Sequence, residues 1–194
     1  MDALKSATVI LAAAVILTGC GKEEQAEADR LAKVLAGAKA NYANANAIEK
    51  ELVANARAWC GGLTEKGAGR GIELEQNTVV AAELAKSVAA IGAQLGEVRV
   101  AVSAPVLQKE FTRGVRSELI AQLTARQRSL HDLRVLLDES TKQLVAYRSD
   151  KAYGGDAYPG EIAKLNAVLE SYRAPSDVVE TALASLREKY NLEP

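Results

Sequence analysis

Aromatic side chains are nearly missing from this chain, which has one Phe, one Trp and six Tyr in 194 residues. Strands draw much of their packing from aromatic and β-branched residues, so this scarcity argues against a sheet. Histidine occurs once, at His131. One imidazole without partners does not make a zinc site. Its neighbours at helical spacing, Gln127, Arg128 and Arg134, give it a cationic setting that disfavours metal. HExxH, GxSxG and CxxCH motifs are absent, and with them the usual signs of a zinc hydrolase, a serine hydrolase and attached haem. Charge of one sign is lacking too. The 24 Lys and Arg nearly cancel 25 Asp and Glu, leaving a net charge of −1, too weak a field to gather nucleic acid. The chain is therefore expected to be non-catalytic, with no cofactor, no metal and no nucleic-acid partner.

Proline is confined to positions 105, 159, 175 and 194. It is not tolerated inside a helix, so two long helices fit between the amino-terminal leader and Ser103. What fills the chain is alanine, 36 residues of it, the strongest helix former and small enough for helices to approach closely. Over residues 24–59, Leu31, Leu35, Ala38, Tyr42, Ala45, Leu52, Ala56 and Trp59 recur at alternating steps of four and three. That is the spacing of a coiled-coil seam. Glu49 is the exception, a carboxylate where the seam expects an apolar residue. Glu23, Glu24, Glu27 and Asp29 crowd the start of this helix, where its dipole favours negative charge. The stretch CGGLTEKGAGRG has five glycines in the eleven residues after Cys60. It fits neither phosphate-loop spacing and predicts a turn between helices.

A second helix is predicted over 73–103, with Val80, Leu84, Val88, Ile91, Leu95, Val98 and Val102 on one face. A third, over 105–149, has Leu119, Leu123, Leu130, Leu133, Leu137, Leu144 and Tyr147 in its seam, interrupted by Arg126 and Ser140. Polar residues at seam positions set register or partner number, or else line a small cavity. Ile162, Leu165, Leu169 and Tyr172 mark a helix over 159–173, and Val179, Leu183, Leu186 and Tyr190 one over 176–190. Pro159 and Pro175 suit first-turn positions. The expected fold is all-α: an elongated antiparallel helical bundle of three long helices with a short C-terminal helical hairpin at one end, one domain over 24–194.

Ahead of that domain, Ala7 to Gly19 carry no charge and follow Lys5. As a helix this run reaches roughly 20 Å, short of the ~30 Å hydrocarbon core of a bilayer. A basic start, an apolar centre and small residues before a cleavage point fit a secretory signal. Leu17-Thr18-Gly19-Cys20 resembles the lipobox of bacterial lipoproteins. The resemblance implies that residues 1–19 are a cleaved signal peptide, that Cys20 carries the lipid, and that residues 20–23 are an anchored linker. The membrane is then a partner through Cys20. In Gram-negative members an Asp after the cysteine tends to hold the protein at the inner membrane. Gly21 therefore implies the outer membrane, facing the periplasm.

With Cys20 given to lipid, Cys60 has no intramolecular partner. It is either a small buried hydrophobe at a helix end or half of an intermolecular disulfide. Lys109, Arg113 and Arg116 share a face by steps of four and three, and suit an acidic partner, lipid headgroups or the acidic first helix. Tyr153, Asp156 and Tyr158 sit in the Gly-rich loop after the third helix and are the favoured partner contact, since Tyr is enriched at interfaces.

The expected function is a non-catalytic, membrane-tethered envelope lipoprotein acting as a helical scaffold or adaptor for another envelope protein, with homo-oligomerisation left open. The alternative is a periplasmic ligand-binding helical module with a pocket near Arg126 and Ser140. Cys20→Ser is expected to release the full-length chain from membranes on fractionation. Unchanged retention in the membrane fraction would refute lipidation.

Overall fold

The computed structural model describes residues 3–66, 68–69, 72–149, 157–172 and 176–193, and their side chains from Gly21 onward except at 147–149 and 157–159. The elements are α1 (Ala3–Lys66), α2 (Ile72–Ser103), α3 (Glu110–Ser149), α4 (Ala157–Ser171) and α5 (Val178–Tyr190), with no strand among the described residues. The all-α bundle of three long helices and two short C-terminal ones agrees with the heptad spacing. Each α1 seam residue from Leu31 to Trp59 is buried, as are the seam leucines of α3 from Leu119 to Leu144. On α2 the seam differs at its start, where Val80 is exposed and Ala81 is the buried residue.

Helix α1 outruns its expected end because the apolar step continues. Leu63, four residues past Trp59, is buried, so Gly61 and Gly62 stay helical and α1 gives way to the connection with α2 only after Lys66. There Gly69 has φ +75, and a Cβ would fall 2.6 Å from the Glu73 Cβ. Only glycine takes that conformation without strain. At the other end, residues 20–23 are helical within α1, where a linker was expected.

The start of α3 moves from the expected 105 to Glu110 because a residue of α1 caps it. The Gln108 amide donates to both carboxylate oxygens of Glu27 at 2.9 and 3.0 Å, and the Lys109 amide donates to Oε2 at 3.0 Å. The Thr112 hydroxyl reaches the same Oε2 at 3.0 Å. Glu27 thus serves as the N-cap of another helix, satisfying donors a helix leaves unpaired at its start. The dipole that Glu27 complements is that of α3, a role across the bundle that the acidic run was not expected to have. Glu23 accepts from Lys109 Nζ at 3.0 Å, and Glu24 from the Tyr190 hydroxyl at 2.7 Å.

Helix α2 packs on both α1 and α3, while among the described residues α4 and α5 pack on α1 and α3 but not on each other. The placement of the short pair therefore differs from a hairpin at one end. Their contacts descend along α1 in order. Leu169 meets Arg57, Tyr172 meets Glu49, Ser176 meets Tyr42, Glu180 meets Lys39 and Tyr190 meets Glu24. Together α4 and α5 form a fourth column antiparallel to α1, with α4 ending at Ser171 and α5 beginning at Val178. The architecture is an up-down-up-down bundle whose last helix is in two pieces.

Glu27 makes stability depend on acid. Hydrogen bonding from the Lys109 amide, opposed by burial and reinforced by Gln108, Thr112 and Arg30, holds its carboxyl below the ordinary range. A depressed carboxyl stabilises the fold fully above the ordinary value of about 4.3, and that contribution is lost as pH falls through the folded value. In urea titrations from neutral pH into acid, Glu27→Gln should start less stable and lose less on acidification. Parallel curves for the two proteins would show that the cap carries no linkage.

Candidate functional site

Two seam positions carry charge, Glu49 on α1 and Arg126 on α3, and the bundle brings them together. Arg126 Nε donates to Glu49 Oε2 at 2.8 Å and Nη2 donates to the same oxygen. The Glu49 side chain is 0% exposed and that of Arg126 9%. Ionised groups so far from water are tolerated only when paired and hydrogen-bonded. The second carboxylate oxygen accepts from the Tyr172 hydroxyl, which follows the end of α4. The guanidinium lies 5.0 Å from the centroid of the Tyr42 ring, a favourable cation–π distance. Tyr42 in turn donates to the Ser176 carbonyl at 2.9 Å. Four side chains thus form one buried polar layer that ties α1 and α3 to both sides of the break.

The phenols of this layer stay protonated. Burial raises Tyr42, with the Arg126 charge opposing it, and burial raises Tyr172 further with the help of Glu49. Arg57 on α1 secures the C-terminus of α4, donating from Nη2 to Leu169 O at 2.6 Å and to Tyr172 O at 3.2 Å. A cation there satisfies the last carbonyls and complements the helix dipole.

Because the fourth column is interrupted opposite Glu49 and Arg126, the layer is overlain by an open cleft of about 690 Å³. Its floor is Tyr42, Glu49, Arg126 and Tyr172. Leu123, Ala125, Val168 and Val178 supply apolar walls, and Gln122, Ser129, Asp132, Ser171 and Ser176 the polar remainder. Arg126 Nη1 is buried with no hydrogen-bond partner.

The residues singled out in the sequence scatter relative to this site. Arg126 lies in it. Ser140 does not: it is buried four turns further along α3 and its hydroxyl donates to the Leu136 carbonyl of its own helix, which removes it from the expected pocket. Lys109 and Arg116 are not a free cationic face, since Lys109 pairs with Glu23 and Arg116 Nη1 donates to the Pro105 carbonyl at 2.6 Å. Arg113 alone of the three is exposed. Cys60 is fully buried, and burial pushes its thiol up to about 11. It packs as a small hydrophobe, which leaves the folded chain no accessible thiolate for an intermolecular disulfide. Tyr153, Asp156 and the side chains of Tyr158 and Cys20 lie outside the described residues. Sequence reasoning placed Tyr42 and Tyr172 among the apolar seam residues of their helices. Their hydroxyls were the signal it passed over, because a buried phenol needs a partner.

No protein-family model, curated protein or solved structure matches the chain.

Removing one member of the buried pair strands the other. Arg126→Leu is expected to cost about 3–5 kcal/mol in chemical denaturation, whereas Glu49→Leu with Arg126→Leu should recover most of the loss. Additive losses in the double variant would mean that the two charges do not depend on each other.

Proposed function

We propose that this chain is a non-catalytic, membrane-tethered envelope lipoprotein that serves as a helical scaffold or adaptor for another envelope protein. The observation that carries the reading is a second apolar line on α2, on the face turned away from the bundle. Ile72, Val79, Ala93 and Val100 recur at seven-residue intervals, with Lys86 between them, and Ile72, Val79 and Val100 are 75%, 56% and 67% exposed. Exposed apolar residues at coiled-coil spacing on one helix are what a partner helix would pack against. The most apolar window of α2 has a mean hydropathy of 1.3, yet only 33% of it is buried within the bundle. By length and composition alone that helix could cross a bilayer. Glu83, Lys86, Glu97 and Arg99, all exposed along it, favour a helix that meets protein and water.

The polar layer supports the non-catalytic part of the reading. Glu49, Arg126 and Tyr172 are engaged with one another, and a phenol held protonated above its usual range is a poor base at neutral pH. The envelope address rests on the lipobox resemblance, and the outer membrane on Gly21.

A photo-reactive residue placed at 79 or 100 in cells is expected to give one defined adduct with an envelope protein. Val79→Glu with Val100→Glu should abolish capture while changing stability by no more than about 0.5 kcal/mol per exposed site. No adduct from either position, or one that survives the double substitution, would sink the proposal.

A further inference from the structure

The turn between α2 and α3 is held firmly from within and left bare outside. On its inner side Arg116 Nη1 donates to the Pro105 carbonyl, and the Gln108 and Lys109 amides donate to Glu27. Leu107 is buried. On its outer side Ala104 is exposed, and Val106 is 76% exposed, more than any other large apolar side chain among the described residues. A lone exposed valine is ordinary on a protein surface. What distinguishes this one is where the turn sits.

Val106 shares a shallow hollow with Glu23, Ala26, Glu27 and Arg30 of α1. The end of α5 reaches the same level, where the Tyr190 hydroxyl meets Glu24. Counted from Cys20 at 1.5 Å per residue, Glu23 lies about 5 Å along the axis of α1 and Glu27 about 10 Å. The headgroup zone of one leaflet is about 5–8 Å thick, half the difference between the full and the hydrocarbon thickness of a bilayer. On the lipid-tethered reading, on which this inference rests, the turn therefore stands at headgroup height, at the end of the bundle nearest the lipid.

We propose that the α2–α3 turn is a second membrane contact, in which the apolar tip at residues 104–106 enters the headgroup region of the bilayer that holds Cys20. The tip offers far less apolar surface than an acyl chain. It acts only on a chain already tethered, where its local concentration at the lipid is high. Because Glu27 and Arg116 fix the shape of the turn in advance, little ordering remains to oppose insertion. A single attachment point on α1 lets the bundle tilt, and a second contact between α2 and α3 sets that tilt.

The test uses the full-length chain, processed in cells and reconstituted into phosphatidylcholine vesicles with or without bromine on the acyl chains. Val106→Trp places an indole on the tip. Ile72→Trp places one at a site of equal exposure, 75% against 76%, at the other end of α2 and about 47 Å from Ser103. The native Trp59 is buried beside Glu73 and Asn77 near that far end, and adds the same background to both variants. Both substituted sites are exposed, so both variants should keep the wild-type thermal midpoint. Flotation reports the tether, and quenching by bromine reports the contact. In chains that float, the indole at 106 should be blue-shifted and quenched by brominated lipid, and the indole at 72 should be neither. A floating chain in which 106 is no more quenched than 72 overturns the contact and leaves the tether standing. A blue shift at 106 without quenching overturns it too, since a second copy would then cover the turn. Chains that do not float overturn the tether, and this contact with it.

Discussion

The ion pair between Glu49 and Arg126 is the constraint on which the bundle's uniqueness depends. Leucine and alanine repeated every seven residues specify that helices pack, but they specify poorly which layer meets which. A slip of α1 against α3 by one heptad would leave most of the seam apolar on apolar. It would also bury a carboxylate and a guanidinium without partners, each at a cost of several kcal/mol. A single polar layer thus selects one register from several of similar packing energy, the best-attested use of charge inside a coiled coil. Tyr42 and Tyr172 extend the same selection to the fourth column, because each reaches one side of its break.

A second fixed point lies near the amino-terminal part of α1. Glu27 caps α3, Glu24 receives the Tyr190 hydroxyl, and Phe111 meets the Tyr190 ring edge-on with centroids 5.7 Å apart. Lys189 sits 3.7 Å from the Phe111 centroid and closes this end. In both hydrogen-bonded groups α1 supplies the acidic residue and a later segment supplies the donor. The first helix is a template on which the start of α3 and the end of α5 are indexed. That gives the carboxylates clustered there partners across the bundle.

Much of this was legible in the sequence. Alanine content, four prolines and the four–three spacing were enough for the helices and for nearly every buried seam residue. Glu49, Arg126 and Ser140 were visible as breaches of the pattern. That the first two answer each other was not, because the spacing within one helix says nothing about the offset between helices. Ser140 shows the same limit from the other side: its hydroxyl is satisfied by its own backbone, so it needed no partner across the bundle. The capping role of Glu27 was hidden for a similar reason, since capping rules are read locally and this cap comes from a residue about 80 positions away. Ending α1 at the glycine pair failed because burial of Leu63 outweighs a glycine's modest preference against helix.

The continuity of α1 has a mechanical consequence. A polypeptide rod with no swivel between residues 20 and 66 transmits orientation as well as position. Were an acyl chain attached at the twentieth residue, the cleft would be carried at a set height, roughly 40 Å along the axis at 1.5 Å per residue. The outer stripe of α2 would be held parallel to that same mast. Whatever docks there would then be met at a fixed standoff from the lipid surface, as along the markings of a gauge.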